Sequence, residues 1–196
     1  MDRADLTELH YITPIANVAS ICRMGILSHA RAQAVNHVSV AMPEIQGRRA
    51  NVRVPGGRPL HEYVNLYICA RNPMMYRRSD RHQELCVLRV STHVLDLPGV
   101  VVVSGNASSG YVRFGAGAAG LALVDRVLTF AEYWTDPDPI TYYEKKSAKC
   151  AEVLVPDVVQ PSYLLGAYVS DAVGLAALNA LSLAIPVQVN AHLFFR

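Results

Sequence analysis

Cysteine is scarce in this chain and badly placed for its usual structural roles. Cys22, Cys69, Cys86 and Cys150 lie far apart; no pair has zinc spacing, and no disulfide framework is suggested. They read as small buried hydrophobes in a reducing cytoplasm. Long apolar runs are missing too. No stretch reaches the roughly 18 residues of a membrane span, and the opening MDRADLTELH is polar and acidic, unlike a signal peptide. A cytoplasmic protein is therefore expected. Charged residues make up only 17 % of the chain and net to +2, so overall charge identifies no polyanionic partner. There is no Gly-x-Ser-x-Gly elbow, Walker loop or Rossmann glycine fingerprint. No His/Cys/Asp cluster has metal spacing, so no metal is expected. Repeats and low-complexity tracts are absent as well.

What the chain does have is apolar content, 52 % over 196 residues, enough for one domain spanning 1–196. Its focal stretch is Lys149-Cys150-Ala151-Glu152-Val153-Leu154-Val155-Pro156. That run reads as a buried, β-branched strand carrying one carboxylate at its start. A buried carboxylate needs a partner; the plain reading is a salt bridge or an exposed strand end. Basic residues are also unevenly spread. Arg48, Arg49, Arg53, Arg58, Arg71, Arg77, Arg78 and Arg81 stand against only Glu62 and Asp80 over the same stretch. Arginine suits bidentate phosphate contacts and stacking on bases, though a charge block is often no more than a solvated face.

In chain order, Glu8 to Ile12 reads as a strand, with Thr13-Pro14 starting a helix that Gly25 ends. Residues 28 to 62 are irregular, with a short helix around Pro43 to Arg49. Val64 to Ala70 is expected as a central strand, Met74-Met75-Tyr76 as an apolar loop, and Glu84 to Val90 and Gly99 to Val103 as two further strands. Ser104 to Gly110 is a Gly/Ser/Asn loop able to offer backbone N–H groups to a phosphate or sugar, or merely to turn. Asp125 to Trp134 and Ile140 to Lys149 read as helices, Leu164 to Val169 as a strand, and Ser170-Asp171 as the cap of a helix to Leu181. Val187 to Val189 and His192 to Phe195 close the chain as a strand or hairpin. The mixture indicates α+β.

No second carboxylate occurs in a setting like that of Glu152, so a hydrolase-type acid/base pair is not indicated. A lone carboxylate can hydrogen-bond a ribose hydroxyl and stabilise positive charge developing at the anomeric carbon. Transfer of ADP-ribose from NAD fits such a site.

Four segments carry a resemblance: Leu9-His10-Tyr11-Ile12-Thr13-Pro14-Ile15-Ala16-Asn17-Val18; Gly47-Arg48-Arg49 with Pro59-Leu60-His61-Glu62-Tyr63-Val64; Leu66-Tyr67-Ile68-Cys69-Ala70-Arg71-Asn72-Pro73-Met74-Met75-Tyr76; and Ala151-Glu152-Val153-Leu154-Val155-Pro156. With Ser104-Gly105-Asn106-Ala107-Ser108 they resemble the DarT toxins, DNA ADP-ribosyltransferases of bacterial toxin–antitoxin pairs. The resemblance implies a fold like the poly(ADP-ribose) polymerase catalytic core, a split, mainly antiparallel sheet with flanking helices and NAD in its cleft. It implies a monomer that transfers ADP-ribose to a base (thymine or guanine) in single-stranded DNA, and a cognate antitoxin that removes it. Glu152 matches the catalytic glutamate. Arg49 matches an arginine that contacts the base and helps remove its proton, a role that an arginine of ordinary pKa performs poorly. NAD contacts are implied for His10, Tyr11, Ile12, Thr13, Leu27, Tyr67 and Met75, and nucleic-acid contacts for Arg48, Arg49, Arg53, Arg71, Arg77 and Arg78. One departure stands out. Many members carry histidine two residues before Thr13, where this chain has Tyr11 and the histidine is displaced to His10. Either the Tyr11 hydroxyl takes over, or a bulge restores His10, since a one-residue shift reverses a strand side chain. Two other readings compete: an ADP-ribosyltransferase acting on RNA, protein or a small molecule, and a non-catalytic nucleic-acid-binding module.

Overall fold

Ten strands and seven helices alternate irregularly along residues 1–196, all of which the computed structural model describes. The strands are β1 Leu9–Pro14, β2 Ile26–Leu27, β3 Tyr63–Tyr67, β4 Leu85–Val90, β5 Val101–Val103, β6 Phe114–Ala116, β7 Glu152–Pro156, β8 Val158–Val159, β9 Leu164–Val169 and β10 Val187–Val189. The helices are α1 Val18–Met24, α2 His29–Ala32, α3 Pro43–Ala50, α4 Pro73–Arg77, α5 Arg126–Phe130, α6 Pro139–Ala148 and α7 Ala172–Asn179. Eight strands form one sheet in the order β10-β9-β4-β1-β3-β7-β5-β6, antiparallel except for β9 with β10; β2 and β8 form a separate ribbon. This is the α+β, mainly antiparallel architecture expected.

The sheet is split between β1 and β3. β1 pairs with β4 without interruption from Leu9↔Val90 to Pro14↔Leu85, but meets β3 at His10↔Tyr67 alone. Beyond that rung the two strands diverge, and one edge of β1 from Tyr11 onward is open. β3 is zipped to β7 from Tyr63↔Pro156 to Tyr67↔Glu152. Strand β7 is apolar on both faces, as a doubly covered strand must be. Val153 and Val155 join the main core with Val64, Leu66, Cys86 and Leu88. Leu154 faces the other way, into a smaller cluster with Val54, Leu60 and Ala107.

Local details depart from expectation at several points. Thr13-Pro14 does not begin a helix: pairing with β4 keeps the chain extended through Pro14, and α1 starts only after a 3-10 turn at Ile15–Asn17. Gly25 does end α1, at φ +86°, where a Cβ would lie 2.4 Å from the Val159 carbonyl oxygen. Met74-Met75-Tyr76 is helical, because Asn72 accepts the N–H groups of Met74 and Met75 at 3.0 and 3.1 Å with Pro73 at the first helical position. Helix α5 stops at Phe130, short of Trp134. The C-terminal residues form a 3-10 turn, Ala191–Phe194, not a strand, and Phe194 is buried with Ile12, Met75 and Val87.

Just ahead of β1, Glu8 is buried and accepts Arg89 Nε at 2.7 Å, with His10 Nε2 at 3.3 Å. Burial alone would raise its pKa, but hydrogen bonds from His10, Arg89 and Tyr168 hold it down, from an ordinary 4.5 to about 2. The unfolded chain therefore takes up this proton at a higher pH than the folded one. Glu8 contributes stability above pH 4.5 that is lost as pH falls towards 2. Urea midpoints of Glu8→Gln should fall less steeply than wild type across that window. Parallel curves would refute this account.

Candidate active site

A cavity of about 630 Å³ occupies the split between β1 and β3, within the range of small-molecule sites. Tyr11 to Pro14 form one wall and Tyr63 to Asn65 with Tyr67 the opposite one; α3, α4, α6 and the loop after β5 complete the rim. Glu152 faces this space from the start of β7.

Glu152 is fixed from two directions. Its backbone is paired on both sides, with Tyr67 of β3 and Val103 of β5. Its side chain is 2 % exposed. Oε1 accepts the Ala107 N–H at 2.8 Å, and Arg49 Nη1 sits 3.2 Å from Oε1 and 3.3 Å from Oε2. The Ser104–Gly110 loop thus directs one of its backbone N–H groups at the carboxylate. Arg49 reaches in from the last turn of α3 and is itself buried. An ion pair of this kind loses much of its Coulomb gain to desolvation, so its value is more in placement than in stability. Burial raises the pKa of Tyr67, with the Cys150 and Glu152 charges adding to it against Arg49; Tyr67 therefore keeps its phenolic proton. Burial pushes Cys150 up to about 12, which leaves an unreactive thiol against the cavity.

Of the residues expected to hold NAD, Tyr11, Ile12, Thr13, Leu27 and Tyr67 line the cavity. His10 does not. It sits at the closed end of the split, with Nδ1 3.3 Å from the Ile68 carbonyl oxygen and Nε2 3.3 Å from Glu8. The unbroken β1–β4 register contains no bulge to bring it round. Met75 is likewise displaced: it is fully buried in the core, and its neighbour Met74 lines the cavity. Among the arginines, Arg48, Arg49, Arg77 and Arg78 reach the cavity. Arg53 lies outside it, exposed, with Nη2 3.4 Å from the Gly57 carbonyl oxygen. Arg71 is also elsewhere, with its guanidinium 4.0 Å from the Phe195 ring centroid and donating to the His192 carbonyl.

Several contributors carry no sequence signal of their own. Asn17 accepts the Val38 N–H at 2.9 Å and donates to its carbonyl at 2.8 Å. Arg78 donates to the Val40 carbonyl through Nε at 3.0 Å and Nη2 at 2.6 Å. These two clasps hold the irregular segment before α3 over the cavity. Helix α6 supplies Tyr143, Lys146 and Ser147 to the rim. His29 also lines the cavity and meets His61 with ring centroids 4.2 Å apart and planes tilted by 42°. Burial lowers the pKa of both imidazoles, with Arg49 adding to the effect, so both are held neutral.

The arrangement can bind a sugar hydroxyl at Glu152, phosphates at the arginine rim and a planar ring against Tyr11 and Tyr67. A dinucleotide fits that combination of donors, acceptors and apolar wall. A family model described as "DarT: ssDNA thymidine ADP-ribosyltransferase" matches residues 10–195. A DNA ADP-ribosyl transferase of Thermus sp. (strain 2.9) is 34 % identical over 73 % of each chain. A DNA ADP-ribosyl transferase–DNA ADP-ribosyl glycohydrolase fusion protein of Thermosipho africanus is 33 % identical over 84 % of this chain, which spans 42 % of the fusion's length. The solved structure of Thermus sp. 2.9 DarT in complex with ADP-ribosylated ssDNA superposes with a TM-score of 0.83 and 26 % identity over 99 % of both chains. The same protein in complex with NAD+ superposes with a TM-score of 0.77 over 96 % of this chain and 97 % of that one.

Proposed function

Since the chain belongs to the DarT family, we propose that it transfers ADP-ribose from NAD to a base of single-stranded DNA, thymine or guanine. The observation that carries this is Glu152, buried at a split-sheet cavity and steered by Ala107 and Arg49. NAD supplies an ADP-ribosyl group joined to nicotinamide through the anomeric carbon of a ribose. Tyr67 and Tyr11 offer flat walls to its rings, and Thr13 offers a hydroxyl. Oε2 of Glu152 has Arg49 as its only partner and keeps a lone pair for a ribose hydroxyl. The carboxylate then stabilises positive charge as the bond to nicotinamide lengthens. A base nitrogen closes on the opposite side of that carbon as neutral nicotinamide leaves, and the nitrogen's proton passes to solvent water. Arg49 hydrogen-bonds the base and stabilises the negative charge this builds up, a role its fixed positive charge suits better than proton abstraction.

A bulky ADP-ribose on a template base blocks copying, so the activity is that of a toxin; on this reading residues 1–196 form one catalytic domain that acts as a monomer in the cytoplasm. Its antitoxin would be an enzyme that removes the group, the activity named in the Thermosipho africanus fusion. No helix is long and apolar enough to cross a membrane. Incubation with NAD and four homopolymer oligonucleotides plus mixed sequences, read by mass spectrometry, should give a product heavier by one ADP-ribose. Label appearing on protein or RNA and never on DNA would overturn the acceptor assignment.

A further inference from the structure

Helix α4 stands at the cavity mouth with Met74 and Arg77 turned towards it and Met75 in the core. At about 100° per residue, Tyr76 lies one step round the helix from Arg77 and nearly opposite Met74, on the outer flank of α4. It is 58 % exposed. Its ring meets Trp134 edge-on, with centroids 5.7 Å apart at 80°, and Phe195 at 5.1 Å and 73°. Trp134 and Phe195 meet at 5.9 Å and 89°. Half-buried Arg71 stacks over Phe195. Three rings from chain segments far apart in sequence therefore form one patch, outside the cavity lining and joined to it through α4, where Tyr76 precedes Arg77. A cluster serving only to pin the C-terminus has no need to leave its tyrosine more than half in water. The chemistry at Glu152 uses none of these rings.

A strand that delivers one base into a cavity unstacks that base from its neighbours, and the neighbour needs a new π-face. Aromatic side chains beside cationic ones supply that to any base. Resting on the cavity's reading as a site for a DNA base, we propose that Tyr76, with Trp134 and Phe195, is a stacking platform for the nucleotide adjoining the target base, whose backbone passes Arg77. The platform sets how the strand is presented and contributes to which neighbouring nucleotides are accepted.

Trp134 is the sole tryptophan of the chain, so its emission reports on the platform alone. Titration with a fluorophore-labelled single-stranded oligonucleotide at fixed salt, followed by anisotropy, gives affinity; an unlabelled strand gives Trp134 quenching. The expected result is quenching that saturates with binding and disappears when an abasic residue replaces one of the two neighbours of the target base. Tyr76→Ala should weaken binding roughly tenfold, as loss of one stacked base does, and Tyr76→Phe should restore it. The NAD-induced thermal shift should persist in both. Saturating binding without any change in Trp134 emission, or no binding at all, would overturn the platform. Loss of the NAD-induced shift in Tyr76→Ala would also overturn it, in favour of a purely structural cluster. Quenching with no ADP-ribose transferred on any sequence would instead overturn the catalytic reading and leave the platform standing.

Discussion

Replacing Glu152 by glutamine should lower the transfer rate on the order of 100- to 1000-fold, the loss seen when one preorganised group is removed from a site of developing charge. Glutamine keeps the length of the side chain, and its amide oxygen can still accept the Ala107 N–H that lies 2.8 Å from Oε1 in the native site. Folding should therefore survive, and the Michaelis constant for NAD should move much less than the turnover number. What disappears is the negative charge that the proposed mechanism sets against the anomeric carbon, which matters little to bound NAD and greatly to the stretched bond. Initial rates on a modified oligonucleotide, with circular dichroism as the folding control, decide this. A variant within threefold of wild type would remove Glu152 from the reaction.

Arg49→Ala should show the second large effect, on stability as well as rate. Its removal leaves the carboxylate, 2 % exposed, with the Ala107 N–H as its only remaining protein donor. Deleting one member of a buried ion pair typically costs about 3–5 kcal/mol. Water reaching the cavity places this case at the low end, about 3 kcal/mol. In a chain of this size each kcal/mol shifts the melting temperature by roughly 2–4 °C, so a fall of roughly 6–12 °C is expected. The Arg49→Ala, Glu152→Gln double variant should recover part of the loss, because the two sites share one interaction. Arg49→Lys should not restore activity, since an ammonium cannot present the planar donor set of the guanidinium to carboxylate and base together. Equal melting temperatures for Arg49→Ala and wild type would show that the pair carries no such coupling.

The central features were legible in the chain because they rest on local rules. A β-branched run opened by one acid marks β7 and Glu152, and Asp171 caps α7 as such residues do. What was not legible depends on how distant segments meet. A strand's two-residue alternation predicts opposite faces for His10 and Tyr11, and this says nothing about a strand whose edge faces an opening. There Tyr11, Ile12 and Thr13 all reach the cavity regardless of parity, and His10 is excluded because it lies at the one closed rung. Met75 lies in the core and not on the cavity because the segment is a helix and not a loop: Asn72 caps it, and the helical phase turns Met74 outward and Met75 inward. The arginines share one composition signal, yet Arg71 is captured by a C-terminal ring more than a hundred residues away, and no local pattern reveals that.

The open edge of β1 also bears on how much drift the site tolerates. From Tyr11 to Thr13 the main chain has no strand neighbour on the side of the opening, so a bound molecule meets peptide groups there as well as side chains. Peptide groups are identical whichever residue carries them. Tyr11 can therefore stand where the family resemblance implies an imidazole without altering the main-chain share of recognition.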